Sequence, residues 1–394
     1  MNKIKILYVH HGTGWGGAPI SMLNVLNHLD KSQFEPHVLL LKDSIVKDRL
    51  AENNIAYTVC SSIFYKKWNR YLTHSDAGYI KPFKIFRILK MFISWYLSKY
   101  IFAPKVLKTH TFDIVHLNSS VLSDWVYPAS RMGKVIYHVR EPISRGTFGW
   151  RYKFIRSEIE KYADKVIAIS KDNAKRINLP EKTAVIYNFI TIPDKVENNN
   201  LAKSVLYVGG SSKIKGIEVL LDAIPYIDND IQLNLAGSFP KLNPLGTLKR
   251  IVYRLCFPVT FRLRSKLEVI TNFKNINIIG SVATIDKILK KSTLLISPFT
   301  VPHFSRPVVE AFSYGKPVIA SDVLGMDEIV NNGVDGILFK NGDAKALAQA
   351  INTLVNNKKL VNIMGVNGRQ KSIDTFSPKE NVLKIELVYK NLTI

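Results

Sequence analysis

The chain has 394 residues, of which 46% are apolar and 10% aromatic, so it can bury large cores and is not a disordered polyelectrolyte. Its 55 Lys and Arg against 31 Asp and Glu leave a formal net charge of +24, which attracts nucleic acid, anionic lipid or phosphorylated small molecules without selecting among them. The length predicts two domains of roughly 150–200 residues each.

Cysteine content and hydropathy predict a cytoplasmic location. Cys60 and Cys256 are far apart and form no disulfide framework, which fits a reducing compartment. The first apolar run is too short for a signal peptide, and no stretch approaches the ~18 uninterrupted apolar residues of a membrane span.

The first predicted unit is a strand over Ile4–Val9, a glycine-rich loop and a helix. Glycines let a ligand approach the backbone, so Gly16, Gly17 and Ala18 are candidates to bind either a diphosphate or an acceptor. The loop also fits the G-x-G-x-x-G pattern of dinucleotide folds. No acidic ribose ligand follows about twenty residues on, and we expect no cofactor.

A basic segment over residues 64–108 interrupts the alternation of strands and helices. It carries ten Lys or Arg against the single acid Asp76, with aromatic residues interleaved. Phe83, Phe86, Leu89 and Ile93 form an apolar stripe, with Lys84, Arg87 and Lys90 beside it, a pattern suited to a membrane interface. The alternative is a solvated basic helix whose stripe belongs to the core. Residues 248–267 are a second basic amphipathic stretch.

The second half repeats the strand, glycine loop and helix, with a strand over Val205–Val208 and a helix from about Ile217. Continuously apolar strands alternate with helices in both halves, which indicates parallel sheets covered on both faces. The sequence predicts an α/β protein with two doubly wound, Rossmann-like domains, over residues 1–195 and 196–376. A helix over residues 377–394, with Ser377 as cap, needs a surface for its apolar face.

The run Val301–Asp322 contains the acid Glu310 near a predicted helix start. Pro307 suits a first helical turn, so we expect Val308, Val309 and Glu310 to begin a helix whose free amides bind an anion. A carboxylate in that first turn can accept hydrogen bonds from vicinal hydroxyls, such as those of a ribose. The alternative is that Glu310 only complements the helix dipole.

Residues 294–339 resemble the conserved region of the family 4 glycosyltransferases of the GT-B fold, in which a Ser-Pro strand end precedes "EA…G.PVIAS". The matching positions are Ser297, Pro298, Arg306, Pro307, Glu310, Ala311, Gly315, Pro317, Val318, Ile319, Ala320, Ser321, Gly325, Glu328, Gly333 and Gly336. Lys215 and Gly216 match the family's Gly-Arg…Lys-Gly loop, and Gly16–Ala18 its first loop. The resemblance implies two domains facing across a cleft, with the acceptor on the first and the nucleotide sugar on the second. The closing helix would cross back to the first domain.

The same resemblance assigns roles to individual residues. It implies His138, Lys215 and Glu310 as catalytic residues, with His138 facing the cleft in a positioning role; a structural histidine is the alternative. The implied donor-binding residues are Gly209, Lys215, Ser297, His303, Phe304, Arg306, Val308, Val309 and Glu310. Two positions depart from the family: Pro302 replaces its first glutamate, and Gly210 replaces the usual arginine.

The resemblance implies a retaining, metal-independent glycosyltransferase of the hexosyltransferase type. The donor would be a nucleotide-diphosphate sugar and the acceptor a lipid-linked molecule or a saccharide, in capsule, O-antigen or exopolysaccharide synthesis. The basic segments further predict that the protein attaches to the inner face of the cell membrane. Asp228, Asn229 and Asp230 have metal-motif spacing but are predicted to form a turn. The alternatives are a non-catalytic protein that binds nucleic acid or another polyanion, and a nucleotide-sugar epimerase. No nucleic-acid module is present, so nucleic acid is not the expected partner.

Overall fold

A computed structural model describes residues 3–72, 85–143, 145, 147–196, 203–240, 242, 247–270, 273–282 and 284–393. The chain divides into two compact units. Unit 1 contains Met1–Thr191 and Phe376–Ile394, and unit 2 contains Ile192–Thr375. None of the helices in the described ranges is long and apolar enough to cross a membrane.

Unit 1 is built on a seven-stranded parallel sheet with the order β3-β2-β1-β4-β5-β6-β7. Its strands are β1 (Ile4–His10), β2 (Phe34–Leu40), β3 (Tyr57–Val59), β4 (Ile114–Leu117), β5 (Lys134–Val139), β6 (Lys165–Ala168) and β7 (Thr183–Val185). Its helices before the closing segment are α1 (Gly17–His28), α2 (Ile45–Glu52), α3 (Ile85–Leu97), α4 (Ala103–Leu107), α5 (Val126–Ser130), α6 (Trp150–Tyr162) and α7 (Lys171–Ile177). Apolar clusters cover both faces of the sheet, which explains why its central strands are apolar throughout.

Unit 2 has a six-stranded parallel sheet with the order β10-β9-β8-β11-β12-β13. Its strands are β8 (Ser204–Val208), β9 (Gln232–Ala236), β10 (Ile276–Gly280), β11 (Leu294–Ser297), β12 (Val318–Ser321) and β13 (Gly336–Phe339). The helices are α8 (Ile217–Ala223), α9 (Thr247–Cys256), α10 (Pro258–Ile270), α11 (Asp286–Lys291), α12 (Arg306–Ser313), α13 (Ala344–Val355) and α14 (Lys358–Phe376), which ends at the junction with unit 1.

In each sheet the first strand of the unit lies beside the fourth. The order of the strands therefore reverses between β1 and β4 in unit 1 and between β8 and β11 in unit 2. Loops at the carboxyl ends of such strands diverge and leave a crevice, which is where ligands bind in doubly wound sheets. The α/β prediction with two parallel sheets is confirmed.

The closing helix α15 (Pro378–Thr393) packs on unit 1. Val382, Ile385 and Tyr389 are buried in the same cluster as β1 and α1 side chains. The Tyr389 hydroxyl bonds to the Tyr8 hydroxyl and lies 2.8 Å from His116 Nδ1. The apolar face of this helix thus finds its surface in unit 1.

Candidate active site

The reversal point of the unit 2 sheet brings together the loops after β8 and β11. The Thr300 amide donates to the Ile214 carbonyl oxygen at 3.0 Å, and the Thr300 hydroxyl donates to that of Lys213 at 3.2 Å. Gly216 has φ +77°, and a Cβ there would lie 1.7 Å from the Pro298 carbonyl oxygen. This close approach requires glycine.

The joined loops place Lys215 beside His303. Burial lowers the pKa of His303 to about 4, and the charge of Lys215 adds to the effect. The imidazole stacks on Phe299, with ring centroids 4.0 Å apart and an interplanar angle of 10°. Burial also lowers the pKa of Lys215. The site therefore pairs a partly desolvated cation with an imidazole that is neutral at pH 7.

Helix α12 begins at Arg306, so Glu310 is its fifth residue. The prediction that Glu310 lies in the first turn was wrong, because the helix starts one residue before Pro307. Arg306 Nη2 lies 2.6 Å from Glu310 Oε1 across this turn of helix. Glu310 is an ion-pair partner as well as a potential hydroxyl acceptor, and it does not serve as a first-turn dipole complement.

Burial and the ion pair shift the pKa of each partner in opposite directions. Burial raises the pKa of Glu310, Arg306 opposes that rise, and Asp286 adds to it. Burial likewise lowers the pKa of Arg306 while Glu310 raises it. Arg306 Nε is buried and has no hydrogen-bond partner among the described residues. A ligand here would meet a carboxylate acceptor and an unused guanidinium donor.

The backbone at the start of α12 offers fewer free amides than the sequence predicted. Pro307 has no N–H, and the Val308 amide donates to the Ser305 carbonyl oxygen at 3.2 Å. The Val308 amide is therefore not free in this structure, and its role in binding the donor stays a prediction. Val309 and Phe304 are buried, with 1% and 6% of their surface exposed. Ser297 is buried too and donates to the Ser305 hydroxyl at 3.1 Å, so it fixes the loop before the helix.

The loop after β8 explains why glycine replaces the arginine of the family at position 210. Gly210 has φ +56°, and a Cβ there would lie 2.5 Å from the Ser238 carbonyl oxygen. No side chain fits without moving that backbone. The amides of Gly209 and Gly210 both donate to the Ala236 carbonyl oxygen at 3.0 Å, and Lys213 pairs with Glu218 at 2.9 Å. Lys215 is thus the cation of this loop that is not committed to a described carboxylate.

In unit 1, His138 lies inside β5 and is 3% exposed. Its Nδ1 is 2.9 Å from His116 Nε2, and the chain of bonds continues to Tyr389 of α15. Burial lowers the pKa of His138 well below its usual range, with further contributions from Arg140 and His116. Its Nε2 has no partner among the described residues. The ring is neutral and forms part of the polar network beneath α15.

Sequence reasoning missed Arg140, which follows β5 and lies on the same face as His138 by strand alternation. Arg140 Nε donates to Asn118 Oδ1 at 2.8 Å and Nη1 to Asn188 Oδ1 at 2.9 Å, while Nη2 is buried with no partner in the described ranges. Asn118 also contacts His10, the last residue of β1. His10, Asn118 and Arg140 lie at the carboxyl ends of β1, β4 and β5, respectively. The signal in the sequence that could have identified Arg140 is its position two residues after His138, which places both side chains on the same face.

Two sequence profiles match the chain almost end to end. The profile for glycosyl transferases group 1 matches residues 188–371, and that for glycosyltransferase family 4 matches residues 15–192. The chain belongs to the family 4 glycosyltransferases.

Solved structures place this glycosyltransferase in the GT-B fold. HepE of Anabaena, crystallised with UDP and glucose, superposes with a TM-score of 0.77 over 99% of this chain and 100% of its own, at 20% identity. Among curated proteins, an Escherichia coli UDP-Gal:α-D-GlcNAc-diphosphoundecaprenol α-1,3-galactosyltransferase is 23% identical over 100% of this chain and 98% of its own. A Campylobacter jejuni N,N'-diacetylbacillosaminyl-diphospho-undecaprenol α-1,3-N-acetylgalactosaminyltransferase is 22% identical over 73% and 78%.

The first loop of the glycosyltransferase is open. Gly16 caps α1, which begins at Gly17 and continues through Ala18. A Cβ added at Gly14, Gly16 or Gly17 would meet none of the described atoms within 4 Å. The backbone here is accessible to a ligand.

Helix α3 of the glycosyltransferase presents an apolar stripe to solvent. Phe86, Leu89, Ile93 and Tyr96 are 76%, 56%, 51% and 59% exposed, while Met91 and Trp95 face the core. The alternative that this stripe belongs to the core is therefore wrong for the described positions. Arg87 and Lys90 flank it; Lys84 and Phe83 lie outside the described residues. Helix α9 in unit 2 also exposes apolar residues: Ile251, Val252 and Leu255.

No group of three or more metal-ligating side chains occurs within the described parts of the chain. Asp228 and Asp230 lie in a turn, as predicted. Asp228 accepts a bond from Asn352 at 3.0 Å, and Asp230 pairs with Lys203.

Proposed function

We propose that this glycosyltransferase transfers a hexosyl group from a UDP-sugar to a lipid-linked acceptor, with retention of configuration and without a metal ion. The proposal is supported by two features on consecutive segments of unit 2: Lys215 and His303 lie together where the loops after β8 and β11 meet, and the Arg306–Glu310 pair is on α12, the helix that follows β11. UDP is the proposed nucleotide because it occupies HepE and appears in the name of the Escherichia coli relative. Synthesis of a capsule, O-antigen or exopolysaccharide is the proposed setting.

The chemistry follows from where charge develops. Cleavage of the sugar–phosphate bond builds positive charge on the sugar and negative charge on the leaving diphosphate. Lys215 stabilises the negative charge on the departing phosphate, a role that a metal ion has in other enzymes. One such preorganised group stabilises the transition state by about 3–4 kcal/mol. Glu310 accepts hydrogen bonds from the ribose hydroxyls.

His303 takes the place of the carboxylate that Pro302 removes from the family pattern. Because its imidazole is neutral at pH 7, it can donate to or accept from a sugar hydroxyl without adding charge beside Lys215. We assign no protein base to the acceptor hydroxyl. In front-face attack the acceptor approaches from the side that the diphosphate leaves, which gives retention of configuration. The leaving phosphate then takes the proton of the acceptor hydroxyl. His138 and the Gly16–Ala18 loop belong to the acceptor side.

The acceptor and the location are inferred from the relatives and from two exposed surfaces. Both named bacterial relatives act on diphosphoundecaprenol-linked sugars. The apolar stripe of α3, flanked by Arg87 and Lys90, and the apolar face of α9 suit shallow insertion into an anionic membrane. We therefore propose attachment to the cytoplasmic face of the cell membrane.

The first test is thermal stability in the presence of UDP, other nucleotides and nucleotide sugars. A ligand at about 100 times its Kd adds about 2.7 kcal/mol to the stability of the native state. UDP should stabilise wild type and Glu218→Ala to the same extent and Glu310→Ala much less. Stabilisation by oligonucleotides alone, steeply weakened by salt, would favour a polyanion-binding protein. Turnover of a UDP-sugar without an acceptor would favour an epimerase.

A further inference from the structure

Unit 1 contains a pocket of about 710 Å³ between the loop after β1, residues Asn69–Tyr71 and the first half of α3. Its walls are fixed by hydrogen bonds. The Arg70 amide donates to Ser94 Oγ at 2.8 Å, and Ser94 Oγ donates to Asn69 Oδ1 at 2.8 Å. Ser94 is on α3, so the loop and the helix are held together.

Four cations from three parts of the chain line this pocket: Lys42, Arg70, and Arg87 and Lys90 of α3. No acidic residue is among its described lining residues, and none of the four forms an ion pair with a described carboxylate. Lysine and arginine that cluster without protein counter-charges create a positive potential, which attracts an anionic ligand. Four of them around one cavity match a ligand with several negative charges, and phosphate oxygens are the groups that Arg and Lys bind most effectively.

Two parts of the pocket lining differ in character. His11, Gly12 and Thr13 follow β1, at the carboxyl end where the strand order reverses. Phe86 is on α3 and is also the first described residue of the exposed apolar stripe of that helix. A single amphiphile could therefore place a charged group among the cations and an apolar chain along the stripe.

We propose that this pocket binds the diphosphate of a lipid-diphosphate-linked acceptor, with the lipid chain leaving past Phe86. The assignment rests on the proposed transfer to a lipid-linked acceptor and specifies its linking group. Arg87 and Lys90 then act in acceptor recognition rather than only as contacts to the membrane surface. Arg70 and Lys42, which follows β2, add two further positive charges to the pocket lining.

The test uses the full chain and two charge-matched double variants. Arg87→Gln/Lys90→Gln removes two pocket cations. Lys105→Gln/Lys108→Gln removes two exposed cations from the same basic segment but outside the pocket. The probes are geranyl diphosphate below its micellar concentration, geraniol, UDP, and vesicles of phosphatidylcholine with or without phosphatidylglycerol. Circular dichroism and thermal unfolding check that each variant is folded.

We expect the pocket variant to bind geranyl diphosphate at least about tenfold more weakly than wild type, because two charge-assisted contacts are lost. The control variant should bind geranyl diphosphate as tightly as wild type does. Neither double variant should bind geraniol, and nor should wild type. UDP binding should persist in the pocket variant and fall in Glu310→Ala. This reciprocal pattern separates the acceptor assignment from the donor site: loss of UDP binding everywhere would defeat the proposed function and not the pocket.

Two results would overturn the assignment. The first is equal weakening of geranyl diphosphate binding in both double variants, which would show a diffuse charge effect. The second is unchanged geranyl diphosphate binding in the pocket variant together with weaker binding to phosphatidylglycerol vesicles, which would show that Arg87 and Lys90 contact the membrane surface only.

Discussion

The guanidinium of Arg306 lies 2.6 Å from the carboxylate of Glu310, one helical turn away on α12. The two side chains are 17% and 19% exposed, so both charges are partly desolvated and each neutralises the other. Burial raises the pKa of Glu310 and Arg306 opposes that rise, so the guanidinium favours the ionised carboxylate that can accept hydrogen bonds from a ligand.

Glu310→Gln should bind UDP roughly 10- to 100-fold more weakly than wild type, because a hydrogen bond to a charged group contributes about 1.5–3 kcal/mol. Isothermal titration calorimetry measures this directly. Glu218→Gln, whose carboxylate pairs with Lys213 in the same unit, is the control and should bind normally. Equal affinity of Glu310→Gln and wild type would remove Glu310 from the nucleotide site.

Arg306→Gln should make UDP binding more sensitive to acid. Without Arg306 the pKa of Glu310 rises further above its usual value, since burial and Asp286 are no longer opposed. The carboxylate is then protonated, and binding lost, at a higher pH than in wild type. Titrations of UDP between pH 5 and 8 give the two midpoints. A midpoint that does not move would show that Arg306 does not control the ionisation of Glu310.

Lys215→Gln should lower kcat by a factor on the order of 10²–10³, as expected for removing a preorganised donor to a leaving group. Lys213→Gln is the matched control, because that lysine is on the same turn but pairs with Glu218. Steady-state transfer assays on both variants give kcat and KM. A change in KM alone would mean that Lys215 binds the donor equally well in the ground and transition states.

Gly210→Ala should destabilise the protein by at least ~2 kcal/mol. An L side chain at positive φ costs about 1–2 kcal/mol, and the contact with the Ser238 backbone adds overpacking. Gly14→Ala, whose Cβ would meet none of the described atoms within 4 Å, should leave stability unchanged. Urea unfolding of both variants measures the difference. If both are as stable as wild type, the tight geometry after β8 is not required.

The stability of the protein should rise with pH between about 4 and 6.5, in part because of His303. Its folded-state pKa of about 4 lies below the 6.5 of an unfolded histidine, so the unfolded state binds more protons in that window. The contribution is at most about 1.4 kcal/mol per pH unit and is fully present above pH 6.5. Melting temperatures across this range should show a smaller slope for His303→Gln than for wild type. His28→Gln, which replaces an exposed histidine, is the matched control.

Local pattern was sufficient to predict most of the fold. The central strands are apolar throughout because both faces of each sheet are covered, and Pro378 begins α15 as its fixed φ requires. The short edge strands β3 and β13 were not predicted from the sequence, although apolar runs identified the edge strands β7 and β10. The family pattern pointed to Lys215 and Glu310 as candidates for one site; in the structure Lys215 is on the loop after β8 and Glu310 is on α12, the helix that follows β11.

The contacts within the candidate site depended on tertiary structure. The start of α12 at Arg306 turned Glu310 from a first-turn residue into the partner of a guanidinium, a difference of one residue that propensity does not resolve. Lys215 lies beside His303 only because β8 and β11 are neighbours, and His116 contacts Tyr389 only because α15 packs on unit 1. The sequence determines which chemical groups are available and which segments are helix or strand. Strand order and packing decide which groups touch, because those contacts join segments that are far apart in the chain.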